Sequence, residues 1–369
     1  LLLFLFLKEK AGRFMMNGFG QTVTLSIFGE SHGPAIGIVL DGLPAGEPID
    51  EAELQRQMAR RAPGASPLAT SRKEPDAAEI LSGFFNGKTT GAPVCAMIRN
   101  TNTRSGDYTP TLPRPGHADL TAFLKYGGHA DYRGGGHFSG RLTAPLVFAG
   151  GVCRQILERR GIVIGAHIQA IHNVWDDRFQ SPTAEQLHHL THMDFPLLCG
   201  ARREAMEKEI LTAKQDGDSV GGVIECAAVG VPAGLGSPFF GGMESRIAAM
   251  LYAIPAVKGV EFGAGFAMAG LYGSEANDPI RAGKTGYYTE TNQNGGVNGG
   301  IANGMPIVVR AGIKPTPSIA KPQKTVDLAT GENAEVETAG RHDPCIVPRA
   351  VPVAEAGLAV CLLDALLSG

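Results

Sequence analysis

The sequence predicts a large α+β chain built as two related halves. Three observations carry that expectation. Segments patterned as strands and as amphipathic helices follow one another along nearly the whole length. Glycine is in excess, 50 of 369 residues against a usual share of about 7%, and it clusters in loops without a collagen period. A turn sequence recurs about half a chain apart. Gly42-Leu43-Pro44-Ala45-Gly46 with Pro48 returns as Gly230-Val231-Pro232-Ala233-Gly234 with Pro238, and each is followed by a helix-patterned stretch. That spacing predicts one domain over 15–369 with pseudo-repeat halves over 18–200 and 215–369.

In order along the chain, the first stretch is seven apolar residues followed by Lys8-Glu9-Lys10. It is too short to span a bilayer and lacks the flanks of a signal peptide. Residues 1–14 are read as a non-native or disordered extension before Met15 or Met16, the other reading being an apolar arm that packs on something. Thr22 to Phe28 alternates β-formers and runs into Phe-Gly-Glu-Ser-His-Gly (28–33). His32 thus ends a strand beside two glycines, a place that can face a cleft, although a lone histidine is more often structural. Ile36 to Asp41 is a second strand. Glu47 to Arg61 reads as a helix with Ile49, Leu54 and Met58 on one face, and its acids come early and its arginines late, as the helix dipole favours. A cation-dense loop, Thr70 to Pro75, is either solvated or an anion-binding flap. Ile80 to Phe85 and Val94 to Arg99 read as strands around Asn86-Gly87. The next loop ends in Arg-Pro-Gly-His-Ala-Asp (114–119). A carboxylate near a histidine favours the protonated ring, so His117 is a candidate acid.

Asp131 to Pro145 is the most informative stretch. Three consecutive glycines permit positive φ and close backbone approach. Arg133 and Arg141 flank them, and guanidinium forks suit phosphate and carboxylate oxygens. A helix over Ser139 to Arg160 follows, and helix N-termini favour anions. The stretch reads as an anion site, the alternative being a glycine-rich turn with two solvated arginines. It is neither a Walker A loop nor a G-x-G-x-x-G fingerprint.

Further on, Ile162 to Ile171 is a strand. His188 and His192 have i,i+4 spacing without an evident third ligand and read as a solvated helix face. Ala201 to Lys214 is a helix, Val220 to Val229 a strand and Met243 to Tyr252 a helix. Residues 273–291 are polar and lid-like, and Ile307 to Ala311 is a strand. Lys314-Pro315-Thr316-Pro317-Ser318 offers a cation and two hydroxyls on a stiff backbone. Three prolines in residues 341–352 argue against a regular helix there, so Arg341, His342 and Asp343 read as a site edge. Val353 to Leu367 is an apolar core helix.

Composition narrows the function. Net charge is −3 and hydrophobic content 43%, which supports neither bulk nucleic-acid binding nor a membrane role. Six cysteines without a C-x-x-C pair read as free thiols in a reducing, cytoplasmic compartment. With no metal cluster, nucleophile elbow or Schiff-base context, the loop arginines and two turn histidines suit a small polyanion and proton transfers to and from it. A planar cofactor would fit between glycine walls.

The motifs at 28–33, 114–119 and 131–136 are joined by Gly-Asp-Ser-Val-Gly-Gly (217–222), Val-Pro-Ala-Gly-Leu-Gly (231–236), Lys-Gly-Val-Glu-Phe-Gly (258–263), Asn-Gly-Gly-Ile-Ala-Asn-Gly (298–304), Lys-Pro-Thr-Pro-Ser (314–318) and Arg-His-Asp-Pro-Cys (341–345). Together, in this order and over about Gly18 to Leu367, they resemble chorismate synthase. The resemblance implies a β-α-β sandwich, with long helices between antiparallel sheets, and a homotetramer. It implies the 1,4-anti elimination of phosphate from 5-enolpyruvylshikimate-3-phosphate, which gives chorismate at the end of the shikimate pathway. The family uses reduced FMN without net redox change; the flavin is thought to lend an electron and recover it. By motif, His32 would protonate the leaving phosphate, His117 the reduced flavin, and Asp343 would assist proton abstraction. Flavin contacts would come from His137, Phe138, Ser139, Ala256, Gly299, Lys314, Pro315, Thr316, Pro317, Ser318 and Arg341. Arg61 and Arg133 would hold the substrate's anionic groups, and Arg61 also matches a position linked to nicotinamide nucleotides. No metal is implied.

The chain departs from the commoner pattern at His137-Phe138, where Arg-Ser is frequent, at Leu142, where Glu is frequent, at Pro255, often Asn, and at Pro67, an Arg in some members. There is no room for a flavin reductase domain, so a separate reductase would supply reduced FMN, with NADPH only an indirect source. Two rival readings are an ordinary flavin oxidoreductase, which would consume NAD(P)H, and a non-catalytic binder of FMN or phosphorylated metabolites.

Overall fold

Short alternating runs of β-formers pair with their neighbours, and the apolar helices between them are trapped on the inside. The computed structural model describes residues 18–64, 68, 74–102, 106, 108–284, 286–338 and 343–369. The expectations for residues 1–14, Pro67 and Arg341 lie outside the described residues. The first sheet takes β1 (Gly18–Phe19), β2 (Thr24–Gly29), β3 (Ala35–Asp41), β4 (Ala78–Ser82) and β5 (Val94–Arg99), in the order β1-β2-β3-β5-β4 with every neighbour antiparallel. Helix α1 (Glu51–Arg61) leaves this sheet with Asp50 accepting from the N–H groups of Ala52 and Glu53, acids in its first turn and arginines in its last, the charge order that the helix dipole favours.

Helices α2 (Asp119–Tyr126) and α3 (Thr143–Glu158) lead to the second sheet. It comprises β6 (Val163–Ile171) and β7 (Val174–Trp175) and, after α4 (Ala184–Leu190) and α5 (Arg203–Gln215), β8 (Gly222–Val229). Helix α6 (Met243–Ala253) precedes β9 (Val257–Phe262) and β10 (Ile307–Ile313), and α7 (Val347–Ser368) ends the chain. The order is β9-β10-β8-β6-β7, again antiparallel. Helices α1, α3, α6 and α7 share one hydrophobic core with both sheets, so the β-α-β sandwich holds. Helix α4 packs on β6, where Leu187 and Leu190 join a small separate core, and α5 adds Met206 and Ile210 to the main core.

Helix α7 is buried on nearly every side, which is why it is apolar all round. It is long and apolar enough to cross a membrane, but most of it lies inside the protein. Its crossing with α3 is close: a Cβ on Gly150 would stand 2.2 Å from the Cβ of Ala356. Helix α7 begins at Val347, so the expectation of no regular helix before residue 353 is corrected. Pro348 occupies the first turn, where an N–H has no helical partner, and Pro352 removes only one bond. Helix α3 begins later than expected, because Gly140–Leu142 forms a 3-10 turn capped by Ser139. The lid-like region 273–291 contains a short helix, Gly273–Ala276, and an exposed two-stranded hairpin.

Two buried carboxylates set the register of this apolar layer. Glu355 on α7 pairs with Arg60 of α1 and with Arg154 of α3 at 3.3 Å, and accepts the Ala166 N–H of β6 at 3.0 Å. Asp364 accepts the N–H groups of Gln21, Thr22 and Val23 at 3.1, 2.8 and 2.9 Å, which ties the β1–β2 turn to the last helix.

A row of alternating charge crosses the second sheet: His167, Glu225, Arg310 and Glu261 stand in register on β6, β8, β10 and β9. His167 is fully buried between Glu225 at 3.0 Å and Asp176 at 3.3 Å. Burial pushes the imidazole pKa down, but hydrogen bonds to Asp176 and Glu225 outweigh it and hold it above the usual value. That stabilisation is complete below about pH 6.5, the unfolded value, and is lost as pH rises through the higher folded-state value. Thermal melts of wild type and His167→Gln across that range test this. The gap between them should narrow as pH rises, and a constant gap would show that the buried proton contributes nothing.

Candidate active site

Between the first sheet and the helix layer lies a cavity of about 880 Å³, within the roughly 300–1,000 Å³ usual for small-molecule and cofactor sites. Its wall is drawn from distant parts of the chain: the end of β2, the loops before α2 and α3, the end of α6, the turn after β10 and the start of α7. His32, His117 and Asp343 all line it.

The triple glycine passes directly over the two histidines. Gly134, Gly135 and Gly136 have φ of 61°, 80° and 52°, conformations open to glycine without strain. A Cβ on Gly134 would stand 2.5 Å from His32 Cδ2, and one on Gly135 would stand 2.6 Å from His117 Cε1. The close approach expected for a ligand is therefore made by two imidazoles. Ser31 N–H donates to the Gly136 carbonyl at 3.0 Å, which locks the loop to the His32 turn. His117 Nδ1 lies 2.8 Å from Asp119, whose carboxylate also receives Arg114 Nε at 2.7 Å and Nη2 at 2.9 Å. Burial pushes the Asp119 carboxyl up, but hydrogen bonds from His117 and Arg114 win and hold it far below the usual carboxylate range. Arg114 Nη1 reaches Ser318 at 3.2 Å, joining the proposed acid to the Lys-Pro-Thr-Pro-Ser turn.

Among the described residues, six permanent cations line the cavity, Arg61, Arg114, Arg141, Lys258, Lys314 and Arg349, against the carboxylates of Glu74 and Asp343. Arg61 is buried. It meets Asp76 at 2.7 Å, Thr143 Oγ1 at 3.1 Å and the Gly140 carbonyl at 2.8 Å. Arg141 pairs with the other oxygen of Asp76 and donates to Asn100 at 3.0 Å. Burial and the neighbouring Arg349 and Arg141 bring the Arg61 guanidinium down to about 10 against the pull of Asp76, so it stays charged at neutral pH. Asp76 is buried, which alone would raise its pKa, but Arg61 and Arg141 keep it below its usual value. Its φ of 48° is rare for a residue with a side chain. Arg349 pairs with Asp343 and donates Nε to the Arg61 carbonyl at 3.0 Å.

The remaining wall is apolar and suits a flat ring. Phe138, Leu146, Met250, Ile254, Pro255 and Ala256 contribute. Ala256 holds φ 76°, and its carbonyl accepts the Lys314 N–H at 3.0 Å. Beside them, the buried Thr316 Oγ1 has no hydrogen-bond partner among the described residues, an orphan that a bound polar group would satisfy. His137 Nδ1 donates to the Gly29 carbonyl at 2.8 Å, which tethers it in the wall.

Of the residues expected from sequence, His137, Phe138, Ser139, Ala256, Lys314, Thr316, Pro317, Ser318 and Arg61 join the histidines and Asp343 in the lining. Pro315 lies within the same turn but off the wall. The structure does not bring Arg133 or Gly299 to the cavity. Arg133 turns to its near neighbour Asp131 at 2.7 Å, and Gly299 sits in the turn of a separate hairpin, Val297–Asn298 with Ile301–Ala302. Arg141, expected beside the glycines, does line the cavity, whereas sequence reading missed Arg114 and Arg349 as wall cations and Asp76 and Asp119 as carboxylate partners of the wall arginines. The pair Arg114 and Asp119 sits within one short motif and was open to detection, whereas Arg141 and Asp76 are far apart in sequence.

The sequence model described as "Chorismate synthase" matches residues 23–367. A chorismate synthase of Methanocella arvoryzae is 47% identical over 357 residues, covering 96% of this chain and 95% of that protein. One of Korarchaeum cryptofilum is 48% identical over 350 residues, covering 94% and 96%. A crystal structure of chorismate synthase superposes with a TM-score of 0.75 at 33% identity, covering 95% of this chain and 93% of that one.

Two substitutions test this geometry. Gly135→Ala adds a methyl against the His117 ring and costs about 1–2 kcal/mol for the left-handed backbone; turnover should drop about tenfold or more in a folded protein, and unchanged turnover would mean that the loop does not set the ring. Asp76→Ala leaves two buried guanidinium groups without their carboxylate and should cost about 3–5 kcal/mol in urea unfolding. A loss below about 1 kcal/mol, the worth of an exposed pair, would show that Asp76 does not hold them.

Proposed function

The chain belongs to the chorismate synthase family, a lyase that converts 5-enolpyruvylshikimate-3-phosphate into chorismate in the shikimate pathway, and from that premise we propose that the cavity is its active site. The observation that carries the reading is the meeting of His32, His117 and Asp343 in one cationic cavity. The substrate bears a phosphate and two carboxylates, and Arg61, Arg141 and Arg349, already oriented by carboxylates behind them, suit those groups. His32 gives a proton to the leaving phosphate oxygen. His117, with Nδ1 on Asp119, keeps Nε2 for proton exchange. Asp343, paired with Arg349, takes up the proton lost from the ring.

The family works with reduced FMN, which supplies electron density that eases loss of phosphate and is then regained. The apolar wall at Phe138 and Ala256, with the Thr316 hydroxyl and the Lys314 ammonium beside it, fits such a ring and its polar edge. His137, Ser139, Pro317 and Ser318 complete that wall. Pro315 acts through the turn that it stiffens. Arg133 and Gly299 have no part in this arrangement.

Reduced FMN comes from a separate reductase, with NADPH only its remote source. The chain assembles as a homotetramer, a reading supported by the large apolar side chains left strongly exposed on the single chain, Phe239, Phe240, Phe266, Tyr272 and Tyr287. Six free thiols, four of them buried, favour a cytoplasmic location. The halves over 18–200 and 215–369 are related: Gly42 and Gly230 follow β3 and β8 with φ of 80° and 78°, and each leads on to a helix of the central layer.

His32→Ala, His117→Ala and Asp343→Asn, each assayed anaerobically with chemically reduced FMN, should lose about 10²–10⁴-fold in turnover while still binding FMN. A variant that keeps full turnover removes its residue from the mechanism. Wild type mixed with NADPH and oxidised FMN should leave the flavin oxidised; rapid reduction would overturn the need for a separate reductase.

A further inference from the structure

Two groups in the wall sit on the same aromatic ring. Tyr108 meets His32 edge-on, with ring centroids 5.4 Å apart and planes at 82°. The Arg114 guanidinium carbon lies 5.0 Å from the centre of the same Tyr108 ring, a cation–π distance. Arg114 in turn fixes Asp119, and Asp119 fixes His117 Nδ1. Tyr108 itself lines the cavity. The ring is thus one contact from His32 and two contacts from His117, through Arg114, whose Nη2 lies 3.2 Å from His117 Nδ1. Gly134 and Gly135 pass against the same two imidazoles without a Cβ.

We propose that Tyr108 is a positioning residue that holds the two histidines at a fixed separation through its aromatic face and edge, with no proton passing through its hydroxyl. The inference rests on the roles given above to His32 and His117. The loop alone cannot set both rings, because glycine backbone limits approach but offers no directional contact to an imidazole. The ring adds a directional contact to His32, while Asp119, held by Arg114, directs His117. Its edge-to-face contact with His32 and its cation–π contact with Arg114 each have a preferred geometry, so a shift of one histidine is felt by the other.

The test uses the full chain with chemically reduced FMN and 5-enolpyruvylshikimate-3-phosphate, comparing wild type, Tyr108→Phe and Tyr108→Leu. Tyr108→Leu should lower kcat by about 10- to 100-fold, since displacing catalytic groups by about 1 Å can cost that much, with KM and FMN affinity within about twofold. Tyr108→Phe should keep kcat within about twofold. If Tyr108→Leu melts below the assay temperature, Tyr108→Gln, which also lacks the ring, takes its place with the same expectation. Wild-type kcat in the ringless variant would overturn the inference. So would a loss in Tyr108→Phe as large as in Tyr108→Leu, which would place the function on the hydroxyl, or a rise in KM at constant kcat. His32→Ala and His117→Ala run in parallel separate the two levels. Full turnover in those variants sinks the assigned histidine roles, whereas their loss beside an unaffected Tyr108→Leu sinks only the role of Tyr108.

Discussion

Cations gathered in a partly buried cavity repel one another, and the structure depends on the carboxylates that oppose this. Asp76 stands between Arg61 and Arg141, Asp119 between Arg114 and His117, and Asp343 against Arg349. Such pairs add little net stability compared with apolar packing, but each cation is costly without its partner. Their value is orientation. A guanidinium already aimed before the ligand arrives needs no reorganisation at the moment of reaction. Asp76 does this from an unfavourable backbone conformation, as strained residues at functional sites often do.

The sandwich makes this gathering possible. The cavity wall takes His32, Arg61, His117 and Arg141 from the first part of the chain and Ala256, Lys314, Asp343 and Arg349 from the second. These segments meet because α3 and α7 pack together between the sheets, and α7 carries Arg349 in its first turn. The same helix reaches back through Asp364 to the turn before β2, the strand that leads to His32. One buried helix therefore helps to place groups on both sides of the cavity.

Much of this was legible in the sequence, and what was not has a physical reason. Period and capping read α1 and most strands to within a few residues. Proline density misled at α7, because Pro348 falls in the first turn, where its missing N–H costs nothing. The glycine triplet reads from sequence as a place for a ligand to approach, whereas two imidazoles, 102 and 18 residues before Gly134 and Gly135, occupy the space against it. Arg133 was read as a ligand-facing cation, yet Asp131, two residues away, satisfies it locally. Asp76 carried no periodic or motif signal, since its partners Arg61 and Arg141 reach it across 15 and 65 residues. Long-range ion pairs are set by packing, and packing is what a linear pattern does not contain.

The central claim is that one cavity holds both the flavin and the phosphorylated ring, with the arginines on the anions and the histidines at the reacting bonds. A crystal structure of the chain with oxidised FMN and 5-enolpyruvylshikimate-3-phosphate tests it most directly. The flavin ring is expected against Phe138 and Ala256 with a polar atom on Thr316, and the substrate's phosphate within hydrogen-bond reach of His32. Either ligand bound instead around Arg133, or the phosphate lying away from His32, would contradict it.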